Sequence, residues 1–175
     1  MADINPILEL MEKLRDKDKG CPWDIKQDHN SIAHCSIEEA YELVAAITKN
    51  DQENIKEELG DLLLQVIFHS QIAKENNTFN FNNVVEVLSK KLIRRHPNVF
   101  DPDFDLKISA DDQSKLWDEI KEKEKKQNTN KVSFESISSS LSPIQKSKEI
   151  QKEASKKNFD WDSAEDVFEK VYEEL

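Results

Sequence analysis

Two apolar runs of helical period, separated by a four-residue polar break, constrain this chain more than any other feature. The segment EEAYELVAAITKNDQENIKEELGD, residues 38–61, repeats apolar residues at spacings of three and four on both sides of KNDQ. Such spacing is typical of amphipathic helices, since positions three and four apart share one face. Because the break is so short, the segment predicts two neighbouring antiparallel helices.

The same periodicity extends along most of the chain, and the composition agrees with it. Only 2 Gly and 5 Pro occur among 175 residues, which is few for a turn-rich β protein. We therefore predict an all-α helical bundle. Its helices are expected at about residues 5–15, 31 or 36 to 48, 51–74, 82–96, 111–126, 142–157 and 163–175, with loops at 17–24 and 96–109.

The predicted hairpin should supply much of the core. Asp51 is placed to cap its second helix. The apolar positions expected to be buried are Ile37, Ala40, Leu43, Val44 and Ile47 on the first helix and Ile55, Leu59, Leu62, Leu63, Val66 and Ile67 on the second.

Charge and composition exclude several classes of protein. The formal net charge of -11 disfavours direct nucleic-acid binding, which needs an excess of Lys and Arg against the phosphates. No apolar run approaches the length of a membrane span, and the N-terminus lacks the apolar stretch of a signal peptide. Because two cysteines do not make a disulfide framework, we expect a cytoplasmic protein.

Acidic residues recur at three-residue spacing on both helices of the hairpin. Glu39 and Glu42 share a face of the first helix, and Glu58 and Asp61 share a face of the second. In an antiparallel pair with its turn at Asn50, the two acidic pairs lie at matching levels. Four converging carboxylates would repel one another unless they hold protons or cations, and hard oxygen ligands favour Mg²⁺ or Mn²⁺.

Less specific interpretations of these acids remain open at this point. Glu39 could close a capping box with Ser36, and acidic pairs on helices often form a solvated face. A di-iron carboxylate site is disfavoured because no Glu stands three residues before any histidine. A zinc site would have to use Cys21, His29, His34 and Cys35, whose spacing matches no familiar zinc pattern.

One acidic motif and five further stretches of the chain form a recognisable pattern. The motif is the order EExxE then ExxD, which appears as Glu38, Glu39 and Glu42 followed by Glu58 and Asp61. The five further stretches are GCPWD at 20–24, EELGDLLLQVIFHSQIA at 57–73, KLIRRHPNVF at 91–100, LWDEIKEKE at 116–124 and FDW at 159–161. Together they resemble the MazG family of all-α nucleoside triphosphate pyrophosphohydrolases.

The resemblance implies a dimer or higher oligomer that hydrolyses NTPs or dNTPs to the monophosphate and pyrophosphate with Mg²⁺, or Mn²⁺ as a substitute. The implied metal ligands are Glu39, Glu42, Glu58 and Asp61, and the implied nucleotide contacts are Lys91, Arg94, Arg95 and Trp117. We expect attack by a metal-activated water that Glu38 deprotonates. The alternative is a weakly active or non-catalytic helical dimerisation domain of the same fold.

The resemblance also implies a division into domains. Residues 1–126 would form a MazG-like catalytic domain, 127–142 a linker, and 143–175 the opening helices of a second such domain. The linker is rich in Ser and Asn, as connecting segments often are.

Overall fold

In a computed structural model of the chain, the described residues are 3–104, 109–128, 137–138, 141–155, 157, 159–161 and 163–174. All regular secondary structure in these ranges is helical, which confirms the predicted all-α class. The chain divides into two compact units, Met1–Lys107 and Ile108–Leu175. The helices of the first are α1 (Asn5–Leu14), α2 (Pro22–Lys26), α3 (Ala33–Lys49), α4 (Gln52–Glu75), α5 (Phe81–Arg95) and α6 (Pro97–Phe100).

The α3–α4 hairpin forms as the sequence predicts. Asn50 ends α3 in a left-handed conformation with φ 57°, and the Asp51 carboxylate accepts a hydrogen bond of 3.2 Å from the Asn54 backbone N–H at the start of α4. Left-handed Asn and capping Asp are favourable at these positions because their short side chains satisfy local backbone groups. α4 also contacts α1 and α5, so it is the central helix of this unit.

Two short helices replace parts of the predicted loops. α2 lies within 17–24 and extends to Lys26, and α6 lies within 96–109. Each begins with a proline at its first turn, where the fixed φ favours helix and the missing N–H is not needed. Residues 105–108 of the second loop lie outside the described residues.

The prediction of which hairpin residues are buried is partly wrong. Ile67 is buried as expected, and it packs in a cluster with Met11, Ile32, Phe68 and Ile72. However, the exposed fractions of Ile37, Val44 and Ile47 on α3 are 54%, 58% and 55%. Ala40, Leu59, Leu63 and Val66 are also exposed, whereas Leu43, Ile55 and Leu62 are half-buried. The reason is that α3 packs mainly on α4 through the side that carries buried Ala46, which leaves its other apolar side open.

A buried arginine joins three elements of the first unit. Arg15, at the end of α1, is 8% exposed, and its Nε and Nη2 donate hydrogen bonds of 2.9 and 2.7 Å to Glu75 on α4. Its Nη1 donates to the carbonyls of Asp24 and Gln27 at α2. The guanidinium also lies 5.3 Å from the ring centre of Phe68. This residue therefore fixes the segment that leads into the hairpin.

The second unit contains α7 (Ala110–Asn128), α8 (Pro143–Ser155) and α9 (Ala164–Glu174), which confirms the three helices predicted there. Most of the expected linker lies outside the described residues. Among the helices described, none combines the length and hydrophobicity that a membrane crossing requires.

Candidate functional site

Three of the predicted carboxylates meet between α3 and α4. One oxygen from each of Glu39, Glu58 and Asp61 lies within 4.8 Å of the others. Glu58 and Asp61 share a face of α4 because they are three residues apart, and the turn at Asn50 brings Glu39 to the same level from α3. The hairpin therefore creates this acidic site from local helix geometry and one tight turn.

Glu58 is the most unusual member of the site. Its exposed fraction is 8%, and its Oε2 atom is buried without a hydrogen-bond partner among the residues that the structure describes. Burial raises the pKa of Glu58, and the negative charges of Glu42, Asp61 and Glu39 raise it further. An unpartnered buried carboxylate oxygen is costly unless a proton or a cation satisfies it.

Glu39 has a similar environment on α3. Burial raises its pKa, followed by the charges of Asp61, Glu42 and Glu38. The capping-box alternative does not hold, because α3 begins at Ala33 and Ser36 therefore lies inside the helix. Glu39 instead faces the acids of α4.

Glu42 lies one turn further along α3 and is exposed. It is outside the three-residue cluster, although its charge contributes to the raised pKa values of both Glu39 and Glu58. The structure thus brings three of the four predicted ligands together and places the fourth beside them.

The donor set fits a hard divalent cation. All three clustered donors are carboxylate oxygens, which Mg²⁺ and Mn²⁺ prefer over nitrogen or sulfur ligands. A cation would give the orphaned Oε2 of Glu58 its missing partner and would offset the mutual repulsion that raises the pKa values.

Glu38 is exposed and precedes Glu39 on α3. A carboxylate oxygen of Glu38 lies within 4.8 Å of ligand atoms of His34 and Cys35. These three residues form a second group of potential metal ligands. The sequence-based zinc hypothesis combined His34 and Cys35 with Cys21 and His29. In the described part of the chain, neither Cys21 nor His29 belongs to a group of three such ligands.

The predicted basic residues lie at the C-terminal end of α5. Lys91 and Arg95 are half-buried, and Arg94 is exposed. Trp117 belongs to the second unit, on α7, where the Lys121 ammonium lies 4.4 Å from its ring centre. The aromatic surface of Trp117 therefore already attracts a cation within its own helix.

A histidine pair near the hairpin was not predicted from the sequence. The Nδ1 atoms of His29 and His69 are 2.9 Å apart, and the rings stack with centres 5.1 Å apart. Burial lowers the pKa of His69, and the neighbouring His29 lowers it further. No local pattern could have revealed this pair, because 40 residues separate its members.

Comparisons with known proteins agree with the resemblance. The MazG nucleotide pyrophosphohydrolase domain matches residues 27–100. The chain is 39% identical over 178 residues to a nucleoside triphosphate pyrophosphohydrolase of Escherichia coli K12, with all of the chain and 66% of that protein aligned. It is 42% identical over 170 residues to the nucleoside triphosphate pyrophosphohydrolase/pyrophosphatase MazG of Thermotoga maritima, with 97% of the chain and 63% of that protein aligned.

A solved structure matches the fold. The crystal structure of a mazG-related protein from Thermotoga maritima aligns with a TM-score of 0.55 and 28% identity, covering 68% of the chain and 99% of that structure. The chain spans about two thirds of the length of the two curated relatives named above.

Proposed function

The chain belongs to the MazG nucleotide pyrophosphohydrolase family, and we propose that it hydrolyses NTPs and dNTPs to the corresponding monophosphate and pyrophosphate with Mg²⁺. The observation that carries this proposal is the buried, unpartnered Oε2 of Glu58 beside Glu39 and Asp61. Mn²⁺ is the expected substitute, because it shares the preference of Mg²⁺ for oxygen ligands.

The acidic residues would have two roles, which are binding of the metal ion and proton transfer. Glu39, Glu58 and Asp61 would hold the divalent cation, with Glu42 completing the set from the next turn of α3. When bound, such a cation polarises phosphate oxygens and makes a coordinated water more acidic. The exposed Glu38 carboxylate would accept the proton of the attacking water as the α–β phosphoanhydride bond breaks and pyrophosphate leaves.

Positive charge for the substrate would come from α5. Only residues 76–80 separate α4 from α5, and the two helices are in contact, which favours a return of α5 along α4. Lys91, Arg94 and Arg95 would then offset the negative charge of the triphosphate as its α–β bond is hydrolysed. Trp117, on α7 of the second unit, stays a predicted nucleotide contact that rests on the resemblance alone.

We further propose that the chain forms a homodimer through the open apolar face of the hairpin. Ile37, Val44 and Ile47 are each more than half exposed, and Leu59 is 53% exposed. The three exposed residues of α3 share one helix face, and exposed apolar faces of this kind are typical of interfaces. A second copy is the proposed occupant, because helices of this unit can bury such a face by forming a larger bundle.

A cytoplasmic location completes the proposal. Both cysteines are free, which suits a reducing compartment, and nucleoside triphosphates are abundant in the same compartment.

The test is pyrophosphate release from a panel of NTPs and dNTPs, with Mg²⁺ and with EDTA. We expect release only with Mg²⁺. Glu42→Gln and Asp61→Asn should each lose activity by at least about 10–100-fold, because a residue that binds the metal matters at least as much as one that only orients a ligand. Glu53→Gln is the matched control, since Glu53 is an exposed acid on α4, the helix of Asp61, and pairs with Lys56. It should keep full activity.

Two outcomes would contradict this assignment. Release that persists in EDTA would exclude a metal-dependent site, and full activity in both ligand variants would exclude these carboxylates. No release from any nucleotide, combined with an intact dimer, would favour the alternative function as a helical dimerisation domain.

A further inference from the structure

The first turns of α3 carry a second group of potential ligands, of a different chemical kind from the acidic site. His34, Cys35 and Glu38 each offer one ligand atom, and these atoms lie within 4.8 Å of one another. His34 and Glu38 share a helix face because they are four residues apart, and Cys35 adjoins His34. The group therefore combines one nitrogen, one sulfur and one oxygen donor.

The spacing of the two softer donors matches a tetrahedral metal site. The Sγ atom of Cys35 and the Nε2 atom of His34 are 3.6 Å apart. In tetrahedral zinc, with Zn–S of about 2.3 Å and Zn–N of about 2.05 Å, the two ligand atoms are separated by roughly 3.5–3.6 Å. These two donors thus already stand at the separation that one shared zinc ion requires.

The residues are accessible and chemically suited to such an ion. His34 and Glu38 are exposed, and Cys35 is a half-buried free cysteine. Thiolate and imidazole ligands favour Zn²⁺ and related transition metals, whereas Mg²⁺ favours oxygen ligands. The group should therefore discriminate against Mg²⁺, in contrast to the carboxylates of Glu39, Glu58 and Asp61.

We infer that His34, Cys35 and Glu38 form a binding site for Zn²⁺ or a similar transition metal, with water as the fourth ligand, and that its occupation inhibits the enzyme. Coordination removes the Glu38 carboxylate from its role as proton acceptor. It also places positive charge beside Glu39, one residue further along α3. The inhibitory effect rests on the proposed function, whereas the metal site itself does not.

Cobalt absorption tests the site without any use of activity. Co²⁺ substitutes for Zn²⁺, and thiolate ligation gives a charge-transfer band in the near ultraviolet with tetrahedral bands in the visible. We expect one equivalent of Co²⁺ to produce these bands and excess Zn²⁺, but not excess Mg²⁺, to remove them. The bands should persist in Cys21→Ala, the matched control for the other free cysteine, and disappear in Cys35→Ala.

Two further variants test the remaining ligands. His34→Gln and Glu38→Gln should each weaken Co²⁺ binding by at least about tenfold, as expected when one ligand of a small site is lost. His34 is exposed, so its substitution should leave folding unchanged. Absence of the bands in the wild-type protein would show only a weak thiol–imidazole contact and would overturn the inference. So would bands that survive in Cys35→Ala.

The inhibitory part is tested by pyrophosphate release at saturating Mg²⁺ with increasing Zn²⁺. The wild-type protein should lose most of its activity at a Zn²⁺ concentration that leaves Cys35→Ala and His34→Gln active. Equal inhibition of all three would mean that Zn²⁺ acts at the carboxylates instead, and would overturn this part. If the wild-type protein releases no pyrophosphate at all, the proposed function fails while the cobalt bands still decide the site.

Discussion

Replacement of Glu58 by glutamine should have opposite effects on stability with and without metal. Without metal, Glu58→Gln removes a carboxylate that is 8% exposed, lacks a hydrogen-bond partner at Oε2 among the described residues and is repelled by four other acids. The variant should therefore melt at a higher temperature than the wild-type protein in EDTA. With Mg²⁺ the wild-type protein should have the higher melting temperature, because the variant has lost a charged metal ligand.

The size of the metal effect follows from binding linkage. If Mg²⁺ binds only the folded state and its free concentration is about 100 times its Kd, it raises the free energy of unfolding by about 2.7 kcal/mol. For a chain of this size that corresponds to a rise in Tm of about 5–11 °C. If the loss of Glu58 as a ligand weakens Mg²⁺ binding about 100-fold, the same Mg²⁺ concentration raises the variant's free energy of unfolding by only about 0.4 kcal/mol. The Tm of the variant then rises by roughly 1–2 °C.

The pH dependence gives a second check of the same reasoning. Because the folded-state pKa values of Glu58 and Glu39 are raised, their contribution to metal-free stability is fully present below the ordinary value of 4.5 and is lost as pH rises through the raised values. The advantage of Glu58→Gln in EDTA should therefore shrink as pH falls towards 4.5. Mg²⁺ binding to the wild-type protein should weaken over the same range, since protons and the cation compete.

Differential scanning calorimetry with EDTA and with Mg²⁺, at several pH values, measures both effects. Glu53→Gln is again the control, because its exposed side chain already pairs with Lys56. Equal Tm values for the wild-type protein and Glu58→Gln in EDTA, together with equal gains in Mg²⁺, would show that Glu58 is an ordinary solvated acid. That result would refute the reasoning.

Four further predictions concern the surroundings of the site. Arg15→Met should lower the free energy of unfolding by about 1–3 kcal/mol in urea titrations, since it leaves the Glu75 carboxylate and two carbonyls without their hydrogen-bond donor. Glu75→Gln should lower the free energy of unfolding by less than Arg15→Met does. Because the hydrogen bond from Arg15 lowers the pKa of Glu75, that cost should be present above pH 4.5 and disappear as pH falls through the lowered value. Val44→Glu should convert the proposed dimer to a folded monomer in sedimentation equilibrium, because Val44 is 58% exposed in the single chain. Lys91→Met should raise KM for the nucleotide in steady-state assays and leave Mg²⁺ affinity, measured by calorimetry, unchanged.

The helices and the hairpin could be predicted from sequence because their signals are local. The capping Asp51, the polar break around Asn50 and the three-residue spacing of Glu58 and Asp61 each act within one or two turns. The meeting of Glu39 with the acids of α4 follows from these same features and the shortness of the turn. Hence the longer helices and the meeting point of the acidic residues were implied by the order of residues, whereas the short helices α2 and α6 were not.

Burial could not be predicted in the same way. Periodicity marked Ile37 and Val44 as apolar positions of a helix, but it did not specify whether another element would cover that side, and both are exposed. Conversely, spacing placed Glu58 among four converging acids, but it could not show that Glu58 would be buried with an orphaned oxygen. Only the packing of α4 among its neighbours decides which side of each helix meets solvent.

The contacts that join distant parts of the chain were also decided by the tertiary structure. Arg15 and Glu75 are 60 residues apart, and His29 and His69 are 40 apart, so no spacing rule connects them. A helix fixes the relation between residues within a few turns, because its hydrogen bonds and side-chain neighbours are local. The environment that makes Glu58 a metal-ligand candidate depends instead on which segments pack together, and that is a property of the folded chain as a whole.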